Sequence, residues 1–154
     1  MTIKKILFIT IMFALANCGY QPLYLSKDNS KFSINKITEK GVRSINKKIL
    51  LRTNLKSNNN STIKYNLIIE SSKNNEVLSK DTNGNPLSYR ISIQVDLVLI
   101  NSGNPTLIFK QKTFNSSFTY NNTGSKFSLA QYVKITEANL IEEISKNIII
   151  FLSI

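Results

Sequence analysis

The amino-acid sequence predicts an α+β domain: a four-stranded, mainly antiparallel sheet with two helices packed on one face, in the order strand-helix-strand-strand-strand-helix. Three observations point there. Tyr89, Ile91, Ile93, Val95, Leu97 and Leu99 alternate with Arg90, Ser92, Gln94 and Asp96, the period of a strand with one buried face. Apolar residues recur every three or four positions over 42–55 and 128–151, the period of amphipathic helices. Clusters rich in Asn, Ser and Gly separate these runs, so the elements are short enough to stack as two layers.

Taken in order, Phe32, Ile34 and Ile37 alternate in a first strand over 32–37. Gly41 breaks the chain. Val42, Ile45, Ile49 and Leu50 then form a helical stripe with Leu51 and Leu55 beside it, leaving Arg43, Asn46, Lys47 and Arg52 for solvent. A loop over 57–61 leads to strand two, 62–70, where Ile63, Tyr65, Leu67 and Ile69 share one face, and 71–86 reads as a long exposed connection. After strand three, Asn101-Ser102-Gly103-Asn104-Pro105 predicts the turn of an antiparallel hairpin. Strand four, 106–120, passes Phe109, Phe114 and Phe118, with a bulge expected near Asn115-Ser116-Ser117. Ser128 is placed to cap a last helix running to about Phe151, with Glu142 and Lys146 as an i,i+4 pair. Ile148 to Leu152 is strongly apolar, but Lys134, Glu137, Glu142, Glu143 and Lys146 interrupt any longer window, which predicts a buried helix end and not a membrane span.

The first 25 residues set the compartment. Lys4 and Lys5 precede an uncharged apolar run from Ile6 to Ala16, too short to span a bilayer, and Leu15-Ala16-Asn17-Cys18 closes it in the pattern of a bacterial lipoprotein cleavage site. Residues 1–17 are expected to be a signal peptide. Cys18, the single cysteine of the chain, then becomes a lipidated first residue, 18–31 a tether and 32–154 one domain. Gly19 after the cysteine, where an aspartate would retain the chain at the inner membrane, predicts an outer-membrane location, lipid-anchored on the periplasmic side. Removing 17 residues from 154 leaves 137, enough for one core, and losing Lys4 and Lys5 takes the net charge from +11 to +9. Such a surface favours anionic partners, and export puts nucleic acid out of reach.

Chemistry is bounded mostly by what is missing. With no histidine, imidazole acid/base catalysis and histidine-bearing metal sites are excluded. The nine carboxylates are scattered, and the adjacent Glu142 and Glu143 point about 100° apart on a helix, so no hydrolytic pair forms. Asp81-Thr82-Asn83-Gly84-Asn85 has the composition of a calcium loop, but its glycine is misplaced and Ser92 stands where a closing glutamate would bind; a plain turn is expected. No catalytic residue, cofactor or metal is expected, and the chain is read as not an enzyme. What remains is basic character around the hairpin at Lys80, Arg90, Lys110, Lys112, Lys126 and Lys134, a candidate face for anionic ligands in which Arg90 can hold a phosphate with two bonds.

The combination resembles the LptE family of lipopolysaccharide-assembly outer-membrane lipoproteins. The likeness is carried by Cys18-Gly19-Tyr20-Gln21-Pro22-Leu23-Tyr24, Arg90 opening the alternating strand, the Asn-Ser-Gly-Asn turn, Phe118-Thr119-Tyr120, and a long last helix with Ala130 and Ala138. It implies a non-enzymatic plug inside the LptD β-barrel that helps the barrel assemble and contacts lipopolysaccharide in transit. Cys18 would anchor it, and Arg90, Lys110, Lys112, Lys126 and Lys134 would meet lipid phosphates. The alternative is an outer-membrane scaffold for envelope protein or peptidoglycan assembly that does not bind lipopolysaccharide.

Overall fold

The computed structural model describes residues 33–57, 64–122 and 125–153. Strand β1 (Ser33–Gly41) leads into helix α1 (Arg43–Thr53), followed by strands β2 (Lys64–Lys80), β3 (Pro86–Asn101) and β4 (Ile108–Asn121) and helix α2 (Lys126–Ser153). The expected element order is the observed one. The expected signal peptide, tether and lipidated Cys18 lie outside the described residues, as does Ile63.

The four strands lie side by side in sequence order. Helix α1 carries the chain back along the sheet, so β1 and β2 pair in parallel, with Ile37 beside Leu67 and Gly41 beside Ser71. The pairs β2–β3 and β3–β4 are antiparallel, and the second is the expected hairpin. Register places the odd-numbered side of β3 against the helices: Ile91, Ile93, Val95, Leu97 and Leu99 are buried with Tyr65, Leu67 and Ile69 of β2. Ile45 and Ile49 from α1, and Leu140, Ile141, Ile144 and Ile148 from α2, close the same core.

The structure departs from the sequence reading in several places. Strand β1 continues to Gly41. Residues 71–80 are not a loop but the second half of β2, paired with 86–95 in a hairpin whose tip is 81–85. There Asp81 accepts hydrogen bonds from the backbone N–H groups of Asn83 (2.9 Å) and Asn85 (2.7 Å), the expected plain turn. Pairing runs unbroken through Asn115, Ser116 and Ser117; the irregularity falls at Phe109, between the pairs Leu99–Lys110 and Ile100–Ile108. Helix α2 starts two residues before Ser128, and Ser125 supplies the cap, its Oγ accepting the Ser128 N–H at 3.4 Å.

Helix α1 corrects two side-chain assignments. Asn46, expected in solvent, is fully buried, with Nδ2 donating to the Lys40 carbonyl at 2.7 Å and tying the helix to the end of β1. Leu51 is 79% exposed despite its place beside the apolar stripe. Asn54 stops the helix with φ +52°, a left-handed conformation that asparagine tolerates, and its N–H satisfies the Leu50 carbonyl. Among the described residues no helix is long and apolar enough to cross a membrane.

Candidate functional site

Alternation along β4 puts Lys110, Lys112, Phe114, Ser116 and Phe118 on the helix side of the sheet, because they pair with Leu99, Leu97, Val95, Ile93 and Ile91. Phe114 and Ser116 are buried under α2, and Ser116 donates to Glu143 at 2.6 Å. Lys110 and Lys112 lie where α2 is ending, so their stems cover apolar surface while their ammonium groups reach its margin. Lys110 Nζ donates to the Phe151 carbonyl at 3.2 Å, one of the last helix carbonyls that lack a partner within the helix. It also stands 5.4 Å from the Phe151 ring, and Lys112 Nζ lies 5.4 Å from Phe114 and 5.6 Å from Phe151. Phe114 meets Phe151 edge-on at 5.8 Å, and Phe109 stacks on Tyr65 at 4.4 Å.

The result is an open groove of about 370 Å³ between β4 and the end of α2, with Phe114, Ile150 and Phe151 as hydrocarbon walls and Lys112, Asn115 and Asn147 at the rim. Ammonium groups beside aromatic walls suit an amphiphile with an anionic head. The groove holds no carboxylate or thiol to act as acid, base or nucleophile.

The sequence-predicted basic residues do not form one cluster. Arg90 is on the opposite face of the sheet, beside Glu76 on β2, with Nη1 and Oε1 3.2 Å apart. Lys134 is exposed on α2, some 17 residues before Phe151, or roughly 25 Å along the axis at 1.5 Å per residue. Lys80 ends β2 beside the hairpin tip. Lys126 opens α2, but its side chain lies outside the described residues, as does Cys18. Among the described side chains, only Lys110 and Lys112 are brought together. The sequence reading missed the aromatic surface they frame; alternation along Lys110, Lys112 and Phe114 carried half of that signal, whereas Phe151 arrives from 37 residues beyond Phe114.

A second charged cluster is structural. Glu137 of α2 lies 3.1 Å from Lys48 of α1 and 2.6 Å from Lys73 of β2, joining three elements. Burial alone would raise this carboxyl, but hydrogen bonds from Lys73 and Lys48 outweigh it and hold Glu137 below its ordinary value. A lowered folded-state pKa gives stability that is present above the unfolded value of about 4.3 and lost as pH falls through the folded one. Glu137→Gln is therefore expected to cost about 1 kcal/mol at neutral pH and to make the stability loss below about pH 4.3 shallower. Urea unfolding at a series of pH values checks this, and parallel curves for the two proteins would rule it out. Glu142 accepts from Lys146 at 2.8 Å, the expected i,i+4 pair, and from Arg52 at 3.5 Å; its carboxyl is also lowered, first by the Lys146 hydrogen bond.

The fold so described is that of a group of bacterial lipoproteins of known structure. Rare lipoprotein B from Shewanella oneidensis superposes with a TM-score of 0.55 at 12% identity, covering 74% of this chain and 90% of that one. A minor lipoprotein from Acinetobacter baumannii gives 0.52 at 12% identity, over 77% and 92%. Lipoprotein B from Nitrosomonas europaea, described as uncharacterized, gives 0.54 at 13% identity, over 77% and 80%. The chain matches no protein-family model and no curated protein sequence.

Proposed function

We propose that this chain is a non-enzymatic outer-membrane lipoprotein of the LptE type, which plugs and helps assemble an LptD-like β-barrel and contacts lipopolysaccharide during its insertion into the outer membrane. The observation that carries this reading is the fold shared with three bacterial lipoproteins over about three-quarters of a chain that itself opens with a lipoprotein cleavage pattern and Cys18-Gly19-Tyr20-Gln21-Pro22-Leu23-Tyr24. Two further features support it. The first half of α2 leaves Phe127, Tyr132 and Ile135 exposed, apolar surface that a barrel wall would cover. Among the described residues Arg90 makes one exposed ion pair, which contributes little and leaves its guanidinium available to a phosphate.

Affinity capture from detergent-solubilised outer membrane is expected to bring down one large β-barrel, and depletion of this chain is expected to lower the amount of assembled barrel. Recovery of the chain alone, with barrel levels unchanged, would overturn the reading. Purified lipopolysaccharide is expected to bind with an affinity that falls several-fold as salt rises and again with Arg90→Ala. Absence of any binding would leave the scaffold alternative.

A further inference from the structure

We infer that the end of the domain where the chain enters the fold is a docking surface for an anionic phospholipid leaflet, with Leu107 and Ile108 inserting and a ring of lysines meeting the headgroups. Four structural features meet at that end. Strand β1 starts there, with Ser33 beside Lys64 of β2. The β3–β4 turn lies alongside, since Tyr65 pairs with Asn101 and the Ser102 N–H donates to the Lys64 carbonyl at 3.0 Å. The segment leaving α1 returns to the same place, Ser57 Oγ donating to the Asn35 carbonyl. Helix α2 ends there too, held by Lys110 on Phe151.

The charge at this end is one-sided. Residues 33–37, 54–57, 64–67, 99–112 and 147–153 contain Lys36, Lys56, Lys64, Lys110 and Lys112 and no side-chain carboxylate. The opposite end, by contrast, carries Glu76 and Asp81 among its cations. Lysines around an apolar tip match the charge of an acidic leaflet and are attracted to it over about a Debye length.

The tip is also built to leave water. Leu107 and Ile108 are each 57% exposed, and Phe109 beside them is 48% exposed. The turn that carries them satisfies its own donors: Asn101 Oδ1 accepts the Gly103 and Asn104 N–H groups, and Asn104 Oδ1 accepts the Thr106 N–H and hydroxyl. The Asn101 N–H donates to the Leu107 carbonyl at 3.0 Å, and the Leu107 N–H to the Asn104 carbonyl at 3.1 Å. Such a turn enters the headgroup region with its backbone N–H donors already paired. Residues 18–32, fully extended, span at most about 50 Å, so a lipid on Cys18 keeps this end, the point of entry at Ser33, within reach of the leaflet. That lipid belongs to the functional reading above; the docking surface itself does not depend on a barrel partner.

The chain has no tryptophan, so single-tryptophan reporters are unambiguous. The chain from residue 18, with Cys18→Ser and an N-terminal histidine tag, is held on vesicles of phosphatidylethanolamine, phosphatidylglycerol and nickel-chelating lipid, so that the result does not depend on natural lipidation. In the Leu107→Trp variant, emission is expected to shift to the blue and to be quenched by brominated acyl chains at least about twofold more than in Leu87→Trp, an exposed position beside the hairpin tip. High salt is expected to reduce that difference. Ile108→Trp is expected to repeat it. Equal quenching at positions 107 and 87, or shielding of position 107 only when a protein partner is added, would overturn the inference. A failed barrel capture, with quenching intact, would instead remove only the functional reading.

Discussion

Gly41→Ala is expected to lower the unfolding free energy by about 4 kcal/mol. Gly41 has φ +74°, and a Cβ built on it would lie 1.9 Å from the carbonyl oxygen of Ser71 and 2.9 Å from its carbonyl carbon. These are backbone atoms of the neighbouring strand, so no side chain can rotate away. The same carbonyl accepts the Val42 N–H at 2.9 Å, and Ser71 Oγ donates back to the Val42 carbonyl at 3.1 Å. Relieving the clash therefore separates β1 from β2 where α1 begins. The left-handed backbone costs roughly 1–2 kcal/mol for alanine, and a forced shift of packed elements adds about 1–3 kcal/mol. Gly84 provides the internal control: its φ is +85°, but nothing lies within 4 Å of an added Cβ, so Gly84→Ala is expected to cost only about 1 kcal/mol. Urea denaturation of the two variants separates conformational strain from collision, and equal midpoints would refute the argument.

Leu97→Ala is expected to cost about 3–4 kcal/mol with no change in the denaturant slope. Leu97 is fully buried on β3, between β2 and β4, and pairs with Ile69 on one side and Lys112 on the other. Strands on both sides fix the backbone, so a cavity there closes poorly. Leu107→Ala, at the exposed turn, is expected to change stability by no more than about 0.5 kcal/mol. Chemical denaturation distinguishes the pair, and a comparable loss from both would show that the core has been wrongly placed.

The parts of the fold that follow from burial were legible in the sequence. Tyr89 to Leu99 announce one buried face, and the helical stripes through Ile45 and Ile49 and through Ile141, Ile144 and Ile148 land on it. Residues 71–80 were not legible for the same reason. Beyond Ser71 their side chains are polar and largely exposed on both faces, and hydrogen bonding to β3 makes them a strand. Sorting by polarity likewise sent Asn46 to the surface, although a carbonyl at the end of β1 gives its amide a buried partner. The basic residues could be named but not grouped, because whether Arg90 and Lys110 share a face depends on strand pairing. The register puts them on opposite sides.

The placement of Lys110 and Lys112 also bears on how the molecule keeps to itself. Among the described residues β4 is an edge strand, and the row of backbone donors and acceptors along such an edge is the usual template on which a second chain adds by strand-to-strand pairing. Both lysines point to the inner side of that strand, so a copy pairing there would have to bury two ammonium groups against its own apolar face. The domain thereby carries its own barrier against stacking into fibrils, built from residues at its groove.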